Sequence, residues 1–284
     1  MKKLEGKTII VTGGNTGIGL AISKKIVSEG GTVIILSRNP NKKILTELNK
    51  INKSNHIIKN LDVSKQFQVE DLLKNLKDIY GTIDGLVNCA GIYGPIGKTN
   101  FDNQIIQDFK TAIEVNFLGT LYMTNFFIKL FKSDKKLKIV NFAGGGAANA
   151  FPNFSAYATS KVAIVRLTEN LSIEFKDDNI EINSVAPGFV VTQLHEKTLN
   201  AGPENAGNEF YKKTKQQIEN GATPPEIPAN LTLFLLSDES DGITGKFISA
   251  PWDSWENKDF QELLKNDKDF ATIRRIDNKQ FFKK

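Results

Sequence analysis

Cysteine is nearly absent. A single Cys89 excludes an internal disulfide and fits a reducing compartment. Long apolar runs are missing as well, since no stretch has the length that crosses a bilayer. Met1-Lys2-Lys3 leads into a short, interrupted apolar segment without a signal-peptide core, so a cytoplasmic location and no membrane partner are expected. Histidine is limited to His56 and His195. Neither lies near Cys89 in sequence to act as its base, so Cys89 reads as a small core residue, and no metal centre is expected. Internal repeats, linkers and low-complexity tracts are absent, so the 284 residues read as one main domain over 1–252 with an extension over 253–284. The charge excess of +5 comes from scattered lysines that form no tract and do not alternate with aromatics. That pattern is a solvated surface and argues against nucleic acid as a partner.

What the chain does have begins at residues 7–12, a β-branched apolar run of strand length. Gly13-Gly14-Asn15-Thr16-Gly17-Ile18-Gly19 follows, and then a helical pattern from Leu20 to Ser28. Strand, glycine loop and helix in this order let backbone amides and a helix N-terminus face a pyrophosphate. Gly13 is expected to make the tight turn, Gly17 to admit the phosphates to the backbone, and Gly19 to let the helix pack closely. A second strand, 32–37, ends at Ser37-Arg38, where an NAD site would carry a carboxylate for the adenosine ribose. A guanidinium pairs with a 2′-phosphate that a carboxylate would repel, so NADP is expected, with NAD as the alternative. Helices are then expected at 41–52, 64–80, 101–131 and 153–177, and strands at 55–60, 83–88, 137–142 and 179–185. Such alternation predicts an α/β fold, a Rossmann-like doubly wound parallel sheet with helices on both faces and ligands at the carboxyl ends of the strands. Asp62-Val63 and Asn88-Cys89-Ala90-Gly91 stand at two of those ends, with Asp62 placed to bond an adenine amino group.

The segment 139–161 carries the chemistry. Tyr157 and Lys161, four residues apart in an expected helix, share one face, where the ammonium can stabilise the phenolate and bring an ordinarily weak acid toward neutral pH. Ser155 is expected to cap that helix. Further on, Pro187-Gly188 bends the chain back and points Thr192 toward a carboxamide or phosphate. Residues 193–222 are polar and glycine-punctuated, with a helical piece near 209–220, and read as a substrate lid. Its Lys197, Lys212, Lys213 and Lys215 suit an anionic substrate or a plain surface. A helix from Pro224-Pro225-Glu226 to about Leu236 and a last strand over 242–249 follow. The aromatic-rich tail is open between docking on the lid, docking on a neighbouring subunit, and a loose end. The helices 101–131 and 153–177 are apolar over a wide arc, which predicts a homodimer or homotetramer through them.

Taken together, Thr12-Gly13-x-x-x-Gly17-x-Gly19, Asp62, Asn88-x-Ala90-Gly91, Asn116, Tyr157-x-x-x-Lys161 and Pro187-Gly188-x-x-x-Thr192 resemble the short-chain dehydrogenase/reductase family from about residue 4 to residue 250. The resemblance implies an NAD(P)-dependent oxidoreductase. Tyr157 would give a proton to a substrate carbonyl as hydride arrives from the nicotinamide, and Lys161 would lower the Tyr157 pKa and hold the nicotinamide ribose. Asn116 would fix a water connecting Lys161 to solvent. Asn88, Ala90 and Gly91 would line the adenosine side, while Pro187, Gly188, Val190 and Thr192 would hold the nicotinamide end. The family also carries a serine at the end of the fifth strand, bonding the substrate oxygen. Here Gly144 stands thirteen residues before Tyr157, preceded by Ala143, and neither has a hydroxyl. Losing such a donor typically slows turnover roughly a hundred- to a thousand-fold, with Asn149 or a water as possible replacements. Relatives with a similar triple-glycine run resemble reductases of sugar-type substrates, with serine where Ala143 stands. The expected substrate is a small-molecule carbonyl or secondary alcohol, a sugar or sugar nucleotide among the candidates. The alternatives are a 3-oxoacyl thioester reductase and an NADP-binding protein with impaired catalysis.

Overall fold

A computed structural model of the chain describes residues 2–99 and 103–276. Seven short apolar segments pair in parallel: β1 (Thr8–Thr12), β2 (Thr32–Ser37), β3 (Ile57–Asn60), β4 (Gly85–Asn88), β5 (Leu137–Phe142), β6 (Ile180–Ala186) and β7 (Phe247–Ser249). Their order across the sheet is β3-β2-β1-β4-β5-β6-β7. The chain therefore winds outward from β1 in one direction and from β4 in the other. The reversal leaves a crevice at the carboxyl ends of β1 and β4, where a doubly wound sheet binds its ligand. Thr12 pairs with Asn88 and Asn88 with Asn141, so three polar strand ends stand side by side at that crevice.

Alternate residues of the strands feed two cores. Ile9, Val11, Val140 and Phe142 join helices α1 (Gly17–Ser28) and α9 (Glu226–Leu236) on one face. Ile10, Leu86, Ile139 and Ile182 join α3 (Gln66–Tyr80) and α5 (Gly119–Phe131) on the other. Burial on both faces explains why the strands read as continuous apolar runs without alternation. Helices α2 (Lys43–Ile51) and α6 (Ser155–Glu174) complete the layers. The expected elements are present, with ends that shift by a few residues.

Three segments differ in kind. The expected helix 101–131 is not one α-helix: α4 (Asn103–Ile113) and α5 are joined by a π-helical turn, Glu114–Leu118, that carries Asn116, while residues 101 and 102 lie outside the described residues. The last strand shortens to β7, because Gly242 and Gly245 adopt positive φ and hold the preceding residues in turns. The described part of the extension, residues 253–276, folds back on the sheet edge instead of onto residues 193–222. Trp255 is buried beside Phe234 at 5.6 Å and donates to the Ala250 carbonyl, and α10 (Lys258–Asn266) buries Leu264. Beyond it the Phe247 amide donates to the Ala271 carbonyl, and Arg274 pairs with Glu169 on α6.

Candidate active site

A cleft of about 410 Å³ opens at the β1/β4 crevice. Its walls include Gly13, Asn15, Thr16, Gly17, Ile18 and Gly19 of the loop, Ser37 and Arg38 beyond β2, Val63, and Ala90 and Gly91 beyond β4. The loop is built for close backbone approach. Gly13 turns at φ +69, and a β-carbon on Gly19 would collide with the Gly13 carbonyl. Thr16, the N-cap of α1, makes no side-chain cap bond, and the first turn of α1 has no acidic residue. The helix N-terminus is thus free to receive an anion, which fits a pyrophosphate. Asn15 Nδ2 ties the loop to the tip of β2 through the Asn39 carbonyl at 2.7 Å. Thr12 Oγ1 accepts from the Cys89 and Ala90 amides, each at 3.1 Å, and shapes the turn after β4.

Several expected contacts are spent elsewhere. Asp62 Oδ1 accepts from the Ser64 amide and hydroxyl and fixes the turn into α3, outside the cleft walls. Asn88 points into the protein, donating to Thr124 Oγ1 at 3.0 Å and Asn141 Oδ1 at 2.9 Å. Its side chain therefore ties β4 to β5 and to α5. Pro187, Gly188 and Val190 lie outside the cleft walls, where the site of a Gly188 side chain is filled by Pro251 and Thr223. Thr192 is a wall residue and the N-cap of α7 (Gln193–Ala206), accepting from the Leu194 amide. Cys89 is half-buried in the cleft wall, and desolvation pushes its thiol up to about 12, away from the reactive thiolate.

Tyr157 and Lys161 project from α6 beside the end of β5. Both are buried, with Lys161 Nζ at 5.5 Å from the centre of the Tyr157 ring and donating to the Phe142 carbonyl at 2.8 Å. The pKa pattern departs from the expectation that the cation dominates. Burial pushes Tyr157 well above the ordinary phenol value, reinforced by Tyr93 and Cys89, and burial pulls Lys161 down to about 8. Desolvation of the charged form is the largest cause of each shift. Asn116 is fully buried in the π-helical turn, whose extra residue rotates it inward. Both of its amide protons are used, on the Ile92 carbonyl at 2.8 Å and Ser160 Oγ at 2.9 Å, and Oδ1 accepts from the Ile92 amide. Asn116 thus clamps the backbone after β4 to α6. A β-carbon on Gly91 would lie 3.3 Å from Asn116 Oδ1 and 3.5 Å from Lys161 Nζ, so Gly91 sits at their junction.

The two positions without a serine separate clearly. Ala143 turns into an apolar cluster with Ala147, Val165, Phe247 and Ile273. Gly144 instead faces the tyrosine: a β-carbon there would stand 2.8 Å from Tyr157 Oη, and its φ of +145 is one that side chains rarely adopt. Ser155 does not cap α6, because the N-cap is Phe154 and no side-chain cap bond forms. Asn149 is exposed.

An aromatic enclosure over Tyr157 escaped the sequence reading. Tyr93 stands edge-on to Tyr157 at 4.9 Å and to Phe154 at 5.2 Å. Phe210, on α8 (Asn208–Asn220), packs edge-on against Phe151 and Phe154 at 4.8 and 5.1 Å. His195 on α7 lies 4.0 Å from Phe189, and burial holds its imidazole down to about 4, so it is neutral. The position of Tyr93 directly after the Asn88–Gly91 turn is the one signal that pointed to it. Helices α7 and α8 occupy most of the stretch 193–222 and cover the tyrosine, and Lys197 reaches the cleft wall.

A family profile described as short chain dehydrogenase matches residues 7–202. The chain is 31% identical over 253 residues to the 3-oxoacyl-acyl-carrier-protein reductase FabG of Aquifex aeolicus, covering 87% of this chain and 96% of that protein. It is 31% identical over 261 residues to the 7alpha-hydroxysteroid dehydrogenase of Bacteroides fragilis, covering 87% and 94%. Among solved structures it is similar to Cj0485 dehydrogenase, at 31% identity and a TM-score of 0.75 over 88% of this chain and 94% of that one.

Proposed function

Since the chain belongs to the short-chain dehydrogenase family of oxidoreductases, we propose that it interconverts a carbonyl and a secondary alcohol with NADP(H) as partner, with Tyr157 as the proton donor. The observation that carries this reading is that Tyr157 and Lys161 are buried together beside Gly91, a wall residue of the glycine-loop cleft, where a β-carbon would lie 3.5 Å from Lys161 Nζ and 3.3 Å from Asn116 Oδ1. Burial keeps the Tyr157 proton in place until a substrate oxygen gains negative charge beside it. Lys161, anchored by the Phe142 carbonyl, holds a positive charge against the phenolate that forms. The bound dinucleotide supplies the hydride. Arg38, exposed beyond β2 with no carboxylate at the strand tip, favours the 2′-phosphate of NADP over NAD.

Helices α7 and α8 act as the lid, closing through Phe210 on Phe151 and Phe154. The aromatic walls suit a ring-shaped substrate, including the apolar face of a sugar, held with its carbonyl toward Tyr157. Similarity to a 3-oxoacyl reductase, together with Lys197 in the cleft wall, supports an acyl thioester as the second substrate class. Exposed apolar residues on α4 and α6, Ile106, Val162 and Ile173, support self-association through those helices in a dimer or tetramer. Among the described residues no helix is long and apolar enough to cross a membrane, and we place the enzyme in the cytoplasm.

The test is NADPH oxidation against a panel of cyclic ketones, ketoses and 3-oxoacyl thioesters. Wild type is expected to turn over at least one class, and Tyr157→Phe to lose at least a hundredfold while keeping NADPH affinity. A Tyr157→Phe enzyme with undiminished turnover would sink the mechanism.

A further inference from the structure

The oxidoreductase reading leaves one chemical need unmet. A second hydroxyl should hold the substrate oxygen beside Tyr157, yet Gly144 has no side chain and Ala143 points into an apolar cluster. Asn149 is exposed and Ser155 starts α6 without a cap bond, so neither provides a buried donor at the tyrosine. Groups on other elements also touch Tyr157.

Tyr93 meets the requirements. It follows β4 immediately after the backbone that Asn116 clamps through Ile92, so its position relative to α6 is set by three hydrogen bonds. It is 4% exposed, and its ring is perpendicular to that of Tyr157 at 4.9 Å. Phe154 holds its other side, edge-on at 5.2 Å. The two phenols are close enough that ionising Tyr93 opposes ionising Tyr157. Burial pushes the Tyr93 phenol up to about 12, against a smaller opposing influence of Thr198 on α7. The Tyr93 hydroxyl therefore keeps its proton for an acceptor.

We propose that Tyr93 is a catalytic residue that donates a hydrogen bond to the substrate carbonyl oxygen opposite Tyr157, filling the role for which residues 143 and 144 have no hydroxyl. This rests on the oxidoreductase reading above. Tyr157 transfers its proton to the oxygen, and Tyr93 donates without transferring. His195 of α7 stands edge-on to Tyr93 at 6.3 Å, so the lid helices help to seat it. The missing serine then marks a relocated donor, and the chain is a working reductase.

The experiment compares wild type, Tyr93→Phe and Tyr157→Phe with NADPH and two probe carbonyls, 9,10-phenanthrenequinone and ethyl acetoacetate. It also titrates each protein with 4-nitrophenolate in the presence of NADP, as a mimic of the oxyanion. Tyr93→Phe keeps the ring that packs on Phe154 and Tyr157, so unchanged NADPH affinity and thermal midpoint serve as the folding control. The expected result is a fall in kcat of about a hundredfold with KM within threefold, and nitrophenolate binding weakened at least tenfold. If Tyr157→Phe is inactive while Tyr93→Phe keeps kcat and nitrophenolate affinity within threefold of wild type, Tyr93 has no such role and the oxidoreductase reading stands. If Tyr157→Phe also retains turnover, the reading itself falls and the Tyr93 role with it. Should neither probe be reduced by wild type, nitrophenolate decides alone, and equal affinity in wild type and Tyr93→Phe overturns the proposal.

Discussion

Restoring a serine at residue 144 should damage this site. A β-carbon on residue 144 would stand 2.8 Å from Tyr157 Oη, inside ordinary contact distance, so the phenol must retreat by roughly half an ångström. The backbone there has φ +145, and a non-glycine residue in such a region costs about 1–3 kcal/mol. For Gly144→Ser this lowers the thermal midpoint by roughly 2–12 °C. The displaced phenol loses alignment with the substrate oxygen, and a shift of this kind lowers kcat by about tenfold or more. Differential scanning calorimetry reads the first effect and NADPH oxidation the second. A Gly144→Ser protein with an unchanged midpoint and a tenfold gain in turnover would refute the reasoning.

Ala143→Ser places a hydroxyl among Ala147, Val165, Phe247 and Ile273; it should cost about 1–3 kcal/mol in urea unfolding with no gain in kcat. Arg38→Ala should weaken NADPH at least tenfold and NADH less than threefold in fluorescence titrations, and equal losses would return the cofactor choice to NAD. Lys161, pulled down to about 8 by burial, should make the reductive kcat fall about tenfold per pH unit above that value, and a flat profile to pH 10 would contradict the assignment. Because the Lys161 pKa in the folded protein lies below the unfolded value of 10.5, the unfolded chain holds more protons between these values. Its burial therefore costs stability below pH 8, and the cost fades as pH rises through that window, narrowing the stability difference from Lys161→Met. Trp255→Ala should cost about 3–5 kcal/mol, as expected for a large buried aromatic, while leaving NADPH affinity intact, since Trp255 lies outside the cleft walls.

The sheet and the glycine-lined cleft were legible because their signals are local. Gly13 to Gly19 need no distant residue to declare a tight turn between strand and helix, and strands buried on both faces read as apolar runs such as Leu137 to Phe142. The aromatic enclosure over Tyr157 was not legible, because it is assembled from Tyr93, Phe154, His195 and Phe210, which are far apart in the chain and carry no fixed spacing. The π-helical turn at Asn116 was hidden for another reason: one extra residue in a turn blurs the apolar period without breaking it. The sign of the Tyr157 shift was also out of reach, since spacing places Lys161 beside it but says nothing of how deeply both are buried. Asn88 and Asp62 occupy expected positions at strand ends, yet their side chains turn to neighbours that only the folded chain brings close.

Hydride transfer itself tests the central claim most directly. NADPH carrying deuterium at the transferred position of the nicotinamide would be supplied with the carbonyl panel, and the product alcohol examined by mass spectrometry. Wild type should place deuterium on the carbinol carbon, and Tyr157→Phe should bind the cofactor as tightly while forming at least a hundredfold less labelled product. Tight NADPH binding with no labelled alcohol from any carbonyl, or equal labelling by Tyr157→Phe, would contradict the account.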